Sequence, residues 1–188
     1  MTTQTPSHQG FYGPISDDIW QRAKKIKLLI CDVDGVFSDG RIYLNNSGEE
    51  TKAFHTRDGY GVRSALTSGI HVAVITGRKS QIVENRMSAL GIKDIYQGID
   101  NKFVPYEALI KQYNVTAEEV AYIGDDMVDL PVMKVVGLAV CVADGHPFVR
   151  KHCHMTTHIN GGHGALRELT DLLLLSQDKF ENAHGMSI

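Results

Sequence analysis

Apolar runs of strand length recur along the chain, and each stops abruptly at small, polar or acidic residues. Ile26-Lys27-Leu28-Leu29-Ile30-Cys31 ends in Asp32-Val33-Asp34-Gly35. His71-Val72-Ala73-Val74-Ile75 ends in Thr76-Gly77-Arg78, and Val120-Ala121-Tyr122-Ile123 in Gly124-Asp125-Asp126. Gly137–Val142 reads as a further strand and Ile95-Tyr96 as a short one. Short apolar runs bounded by turn residues are the mark of buried strands. Between them, residues 59–68, 79–90, 101–112, 127–134 and 164–176 read as helices, the second stopping at Gly91, a C-terminal glycine signal. A first helix is predicted over 16–24, with Ser16 as its cap and Asp17 and Asp18 at the positive end of its dipole. Strands alternating with helices predict an α/β fold, a Rossmann-like doubly wound parallel sheet with helices on both faces.

Other segments fall outside that alternation. Residues 41–54 read as an amphipathic β-hairpin turning at Asn46-Ser47-Gly48. Residues 1–15, with Pro6, Gly10, Gly13 and Pro14, read as a loose tail, and 177–188 as a polar tail with no packing partner of its own. The whole of 1–188 is expected to be one domain, since 188 residues suffice for a real core. A hydrophobic fraction of 43% and a charged fraction of 22% are ordinary for a soluble globular protein. The net charge of −3 carries no basic footprint, so no nucleic-acid partner is expected. The first residues lack the basic and apolar regions of a signal peptide, and apolar runs such as Leu172–Leu175 are far too short for a bilayer. Cys31, Cys141 and Cys153 are odd in number and scattered, which suits a reducing compartment. The expectation is a cytoplasmic protein without a membrane partner.

The candidate chemistry sits where the predicted strands end. A buried strand does not end in two carboxylates unless they are paired or bind a cation. The pleat sets Asp32 and Asp34 on one side while the strand continues, and ligands of open α/β sheets bind at that edge. Thr76 and Arg78, Lys102 at the start of a helix, and Asp125, Asp126 and Asp129 belong to the same edge. Taken singly, each has a bland reading as a turn, a cap or a solvated lysine. Their order along the chain is what those readings leave unexplained.

That order, DxDG, then Thr-Gly-Arg, then Lys, then Gly-Asp-Asp-x-x-Asp, resembles the haloacid dehalogenase-like superfamily of phosphohydrolases over about residues 26–142. The resemblance implies that Asp32 attacks phosphorus and forms an aspartyl phosphate. It implies that Asp34 protonates the leaving alkoxide and then takes a proton from water. Mg²⁺, which wants oxygen ligands, would be held by Asp32, the Asp34 carbonyl and Asp125. Thr76 and Lys102 would bind phosphoryl oxygens, Lys102 also offsetting the charge around Asp32. Asp126 has two readings, a support of the metal site or the cap of the following helix. Asp129, a turn further on, is within reach of a bound water.

Relatives with cap domains insert them between the positions of Asp32 and Thr76 or of Lys102 and Asp125. Neither interval here has room for a folded domain, so no cap domain is expected and the hairpin is the candidate flap. LLICDVDGVFSDGRIYLNNSGEETKAFHTRDGYGVR, VITGRKS, YQGIDNK, AYIGDDMVDLPVM and GGHGALRELTDLLL resemble, more closely, the capless phosphatases that act on 3-deoxy-D-manno-octulosonate 8-phosphate. This implies a Mg²⁺-dependent phosphomonoesterase of lipopolysaccharide precursor synthesis, releasing the free sugar acid and phosphate. It also implies a homotetramer whose hairpins pack together and close neighbouring sites. The implied substrate contacts are Asp34, His55, Thr56, Arg57, Asp58, Gly59, Arg63, Arg78, Arg86, Lys102 and Val128. Arginine suits a substrate with both a carboxylate and a phosphate. The alternatives are a phosphatase of N-acylneuraminate 9-phosphate and a non-catalytic assembly module. A receiver domain also clusters Asp, Thr and Lys, but there the acidic pair precedes the phospho-acceptor strand. His152, Cys153, His154, His158 and His163 form a dense run without a structural-zinc spacing, and read as a surface run. Gly161–Gly164 reads as a flexible turn before the last helix.

Overall fold

The computed structural model describes residues 7–185. In chain order its elements are β1 (Ser7–Gln9), β2 (Pro14–Ser16), α1 (Asp17–Lys24), β3 (Leu28–Cys31), β4 (Tyr43–Leu44) and β5 (Glu50–Thr51). There follow α2 (Thr56–Thr67), β6 (His71–Thr76), α3 (Gln81–Ala89), β7 (Asp94–Gln97), α4 (Phe103–Tyr113) and β8 (Val120–Gly124). The last are α5 (Leu130–Met133), β9 (Leu138–Cys141), α6 (Pro147–His152), β10 (Met155–Thr156) and α7 (Ala165–Ser176).

The six-stranded central sheet has the order β10-β9-β8-β3-β6-β7, and every pairing in it is parallel. Its inner strands β3, β8 and β9 are continuously apolar because both their faces are covered. Leu29, Cys31, Val72, Val74, Ala121 and Ile123 point into a core closed by α1, α2, α3 and α7. Leu28, Ile30, Ala73, Ile75, Val120 and Tyr122 point into the opposite core, closed by α4, α5 and α6. This period-two division is the doubly wound architecture expected. From β3 the chain steps to β6 and β7 on one side, then returns to β8 on the other. The crevice where the order reverses lies at the carboxyl end of β3, where such sheets bind ligands.

The structure departs from expectation at the periphery. The expected loose N-terminal tail is, from Ser7 onward, an antiparallel hairpin of β1 and β2. It buries Ile15, stacks the ring of His8 on Trp20 at 4.3 Å and bonds His8 to Asp17 at 2.9 Å. An apolar anchor and an aromatic stack outweigh the glycines and prolines that suggested a tail. The predicted hairpin at 41–54 forms, but β4 and β5 are two residues each. Pro147 opens a short helix, α6, that the histidine-rich wording of that stretch concealed. Gly161 and Gly162 form a tight junction and not a flexible turn: a Cβ on either would overlap the backbone of Gly35 or of Ser38 and Asp39. The polar C-terminal tail packs on its own chain. Gln177 Nε2 donates to Ala23 O at 3.1 Å and Ile26 O at 2.9 Å, and Phe180 meets Phe11 with ring centroids 4.6 Å apart. The outer parts of the two predicted tails, 1–6 and 186–188, lie outside the described residues.

Candidate active site

The carboxyl edge of β3, β6 and β8 carries a cavity. Its floor is lined by Asp32, Thr76, Lys102 and Asp125, and its mouth by Asp34, Gly40, Gly77, Arg78, Asp126 and Val128. Asp32 follows β3 directly and is 5% exposed. Lys102 is 3% exposed, at the N-terminus of α4. Its ammonium donates to Asp32 Oδ1 at 2.8 Å and to Asp129 Oδ1 at 2.7 Å.

Asp129 is fully buried and saturated with donors. Tyr122 Oη donates to its Oδ1 at 2.6 Å, and the backbone N–H groups of Asp125 and Asp126 donate to its Oδ2 at 3.0 and 3.2 Å. Tyr122 reaches it from the α4 face of β8, the face that the strand's alternation assigns to it. Gly124 lies so close to Asp129 that a Cβ would overlap its carboxylate, and a Cβ on Gly35, which has φ +90°, would overlap that of Asp125. Both glycines of DxDG and GDD are therefore required by side chains crowding one point.

The charge balance of that point is negative. Burial and then the charge of Asp129 push Asp32 up to about 7, against the pull of Lys102. Burial, then Asp32 and Asp129, push Asp125 up to about 8. Burial would lower Lys102, but Asp32 and Asp129 raise it, so it stays an ammonium. One lysine faces three carboxylates whose oxygens lie within 4.8 Å of one another. A hard divalent cation bound by oxygen fits that donor set. Asp125 belongs to the group, and Asp129, expected only within reach of a water, stands in it as well. Asp126 instead caps the helical turn after it, accepting from Met127 N at 2.7 Å.

Above the floor, Asp34 Oδ1 accepts from Lys52 Nζ, and Arg78 Nη2 donates to Glu50 Oε1 at 2.8 Å. Nothing in the strand-end motifs pointed to Lys52 or Glu50. Their signal is the Glu-x-Lys alternation leaving β5. Tyr122 was equally hidden inside an apolar run.

The remaining expected substrate contacts are not among the residues lining this cavity. His55 caps α2, its Nδ1 accepting from Arg57 N at 3.1 Å, with Thr56 and Arg57 in the first turn. Asp58 is buried and accepts from Arg167 N at 2.9 Å, so it holds the start of α7. Gly59 faces Arg86 across the α2–α3 packing, and Arg63 lies against Gly91. The histidine run does not gather. His152 bonds Phe148 O at 2.7 Å, His154 Nδ1 accepts from Ala139 N at 2.9 Å, and His158 bonds Glu168 at 2.7 Å. A tighter apolar cleft lies between the N-terminal hairpin and α7, lined by Ile15, Leu172 and Leu175. Its carboxylates, Glu168 and Asp171, are bonded to His158 and Arg167.

Comparison with known proteins gives one consistent picture. The family model of haloacid dehalogenase-like hydrolases matches residues 91–169. The curated 3-deoxy-D-manno-octulosonate 8-phosphate phosphatase of Yersinia pestis is 56% identical over 94% of this chain and 95% of its own length. A crystal structure of that phosphatase from Yersinia pestis superposes with a TM-score of 0.96 at 54% identity, covering 98% of this chain and 100% of that one. The 3-deoxy-D-manno-octulosonate 8-phosphate phosphatase from Moraxella catarrhalis, solved with magnesium, phosphate and KDO, has a TM-score of 0.86 at 42% identity. It covers 88% of this chain and 95% of that one.

Proposed function

Because the chain belongs to the 3-deoxy-D-manno-octulosonate 8-phosphate phosphatases of the haloacid dehalogenase-like hydrolases, we propose how its strand-edge cavity carries out their reaction. The enzyme is a Mg²⁺-dependent phosphomonoesterase that hydrolyses 3-deoxy-D-manno-octulosonate 8-phosphate to the free sugar acid and phosphate. The observation that carries the reading is the convergence of Asp32, Lys102, Asp125 and Asp129 on one buried point at the switch in strand order.

Asp32 is the nucleophile, placed at the floor where a phosphoryl group entering the cavity meets it. Lys102 holds its carboxylate in place and offers positive charge to the phosphoryl oxygens. Thr76, at the end of β6, donates its hydroxyl to the same group. Asp34, higher on the wall, protonates the departing sugar oxygen and then takes a proton from the attacking water. Asp32, the Asp34 carbonyl and Asp125 would hold the metal, with Asp129 behind them. When bound, Mg²⁺ offsets the negative charge gathered on the phosphoryl group. Arg78 at the mouth suits the substrate carboxylate, and Val128 packs against the sugar. His55, Thr56, Arg57, Arg63 and Arg86 supply the remaining contacts only if a neighbouring subunit completes the site, whereas Asp58 and Gly59 are buried within their own subunit and serve its packing.

That condition favours a homotetramer. Ile42, Tyr43 and Leu44 are exposed on the flap hairpin, and a two-stranded hairpin needs something to pack on. The three free thiols suit a cytoplasmic enzyme supplying lipopolysaccharide precursors. Phosphate release from 3-deoxy-D-manno-octulosonate 8-phosphate and from N-acylneuraminate 9-phosphate, side by side, tests the substrate. The first should be preferred, and both should need Mg²⁺ after chelation. Light scattering tests the tetramer, and a fully active monomer would refute the shared lid. The C-terminal end is read as reaching a neighbour's pocket, and removing 186–188 alone tests this, because it leaves Phe180 and Ala183 on their own core.

A further inference from the structure

The inner end of the flap carries a lysine that the reading above does not use. Residues two apart on a strand share a side, so Lys52 follows Glu50 toward the cavity while Thr51 faces solvent. The Lys52 side chain is only 1% exposed. Lysines are almost never so buried unless paired. Here the Nζ donates to Asp34 Oδ1 and lies 3.3 Å from Glu50 Oε1, the oxygen that also accepts from Arg78 at 2.8 Å. An alternating chain of charges, Asp34–Lys52–Glu50–Arg78, thus crosses the cavity mouth.

We propose that Lys52 is a positioning residue that orients Asp34 for proton transfer, with Glu50 holding Lys52 in place. The proposal rests on the reading of Asp34 as proton donor and acceptor. An ammonium has three donors and no acceptor, so the Asp34 oxygen facing it serves only as an acceptor. The transferable proton is therefore carried on Oδ2. As an Asp32 oxygen bonds to phosphorus, the ester P–O bond breaks and its electron pair stays on the sugar oxygen, which takes the proton from Asp34 Oδ2. Water then attacks the same phosphorus and gives a proton back to Oδ2. The bond from phosphorus to Asp32 breaks, and phosphate leaves. Lys52 exchanges no proton in this sequence. It sets which oxygen does and where that oxygen faces, and small misplacements of such a group cost rate steeply. It also ties the posture of an otherwise exposed flap to the proton donor.

The test compares Lys52→Met and Lys52→Arg in the full chain with Mg²⁺. The substrates are the sugar phosphate and p-nitrophenyl phosphate, whose phenolate departs without needing a proton. Lys52→Met should lower the single-turnover rate of sugar release about 10–100-fold, with most of the loss restored by Lys52→Arg. Release of nitrophenolate in the first turnover, which precedes attack by water, should change by less than about threefold, as should KM on both esters. Equal losses on both esters, or no loss on either, overturn the proposal. So does a rise in KM at unchanged kcat, which makes Lys52 a substrate ligand. If Lys52→Met does not fold by circular dichroism, Glu50→Gln carries the test, with the same selectivity and a smaller loss. Asp34→Asn separates this proposal from the reading beneath it. Equal loss of both leaving-group release rates in the first turnover there overturns the acid role itself. Selective loss there, without selectivity in the Lys52 and Glu50 variants, overturns only the role of Lys52.

Discussion

The aspartate cluster and the flap hairpin meet at one cavity and are held in opposite ways. Asp32, Lys102 and Asp129 are buried and bound to one another, to Tyr122 and to backbone N–H groups. The flap consists of two-residue strands with Leu44 63% exposed, and it touches the cavity through the ion pairs of Glu50 and Lys52. Reacting groups need fixed geometry, which the end of a sheet supplies. A lid must open for substrate, and an element with few apolar contacts can do so at little cost.

The sharpest way to break the first half of that comparison is Asp32→Asn. An amide of nearly equal size cannot attack phosphorus, so turnover should fall by at least about a thousandfold, with the circular dichroism unchanged. Phosphate release at the wild-type rate would end the covalent mechanism. Asp129→Ala should be nearly as severe and different in kind. It takes one of the two carboxylates paired with Lys102 and strands Tyr122 and two N–H groups, so it should cost about 3–5 kcal/mol of stability and roughly a hundredfold in kcat. A denaturant melt and a rate on the same sample decide it, and a rate loss without destabilisation would mean that Asp129 does not hold the floor together.

The second half calls for the reverse pattern. Ile42→Ser with Leu44→Ser should change protomer stability by under about 0.5 kcal/mol, since both side chains face solvent within the subunit. It should nevertheless lower the mass seen by light scattering, and lower kcat/KM about tenfold through loss of the shared lid. An unchanged mass would leave the flap without a partner.

Asp58 gives the finest test, because it is buried like the cluster yet does not line the cavity. Burial pushes its carboxyl up to about 6, partly opposed by the N–H groups of Arg167, Gly164 and Leu166. The folded chain therefore holds the proton more tightly than the unfolded one. Stability relative to Asp58→Asn should be lowest above about pH 7 and should rise as pH falls through about 6, levelling off below the ordinary 3.8. The gain should be roughly 1–3 kcal/mol. Chemical melts of both proteins across that range measure it, and a difference that shrinks on acidification would reverse the assignment.

The apolar runs at 26–31, 71–75 and 120–123 by themselves determined the parallel sheet, because a strand covered on both faces must be apolar throughout. The motifs that end them placed Asp32, Asp34, Thr76 and Asp125 at its carboxyl edge, because every strand of a parallel sheet finishes on the same side. Tertiary structure alone decided what surrounds those residues. Tyr122 is indistinguishable in sequence from its apolar neighbours until the helical turn before α5 brings Asp129 under its hydroxyl. Lys52 reads as an ordinary flap lysine until the hairpin folds its ammonium onto Asp34. The N-terminal residues read as a tail because their order comes from Trp20 and the core, not from their own propensities. Local spacing fixes which way a backbone runs and which side of it a residue takes. The partner that a side chain meets is set by segments far away in sequence, packed by burial, and no local pattern encodes that distance.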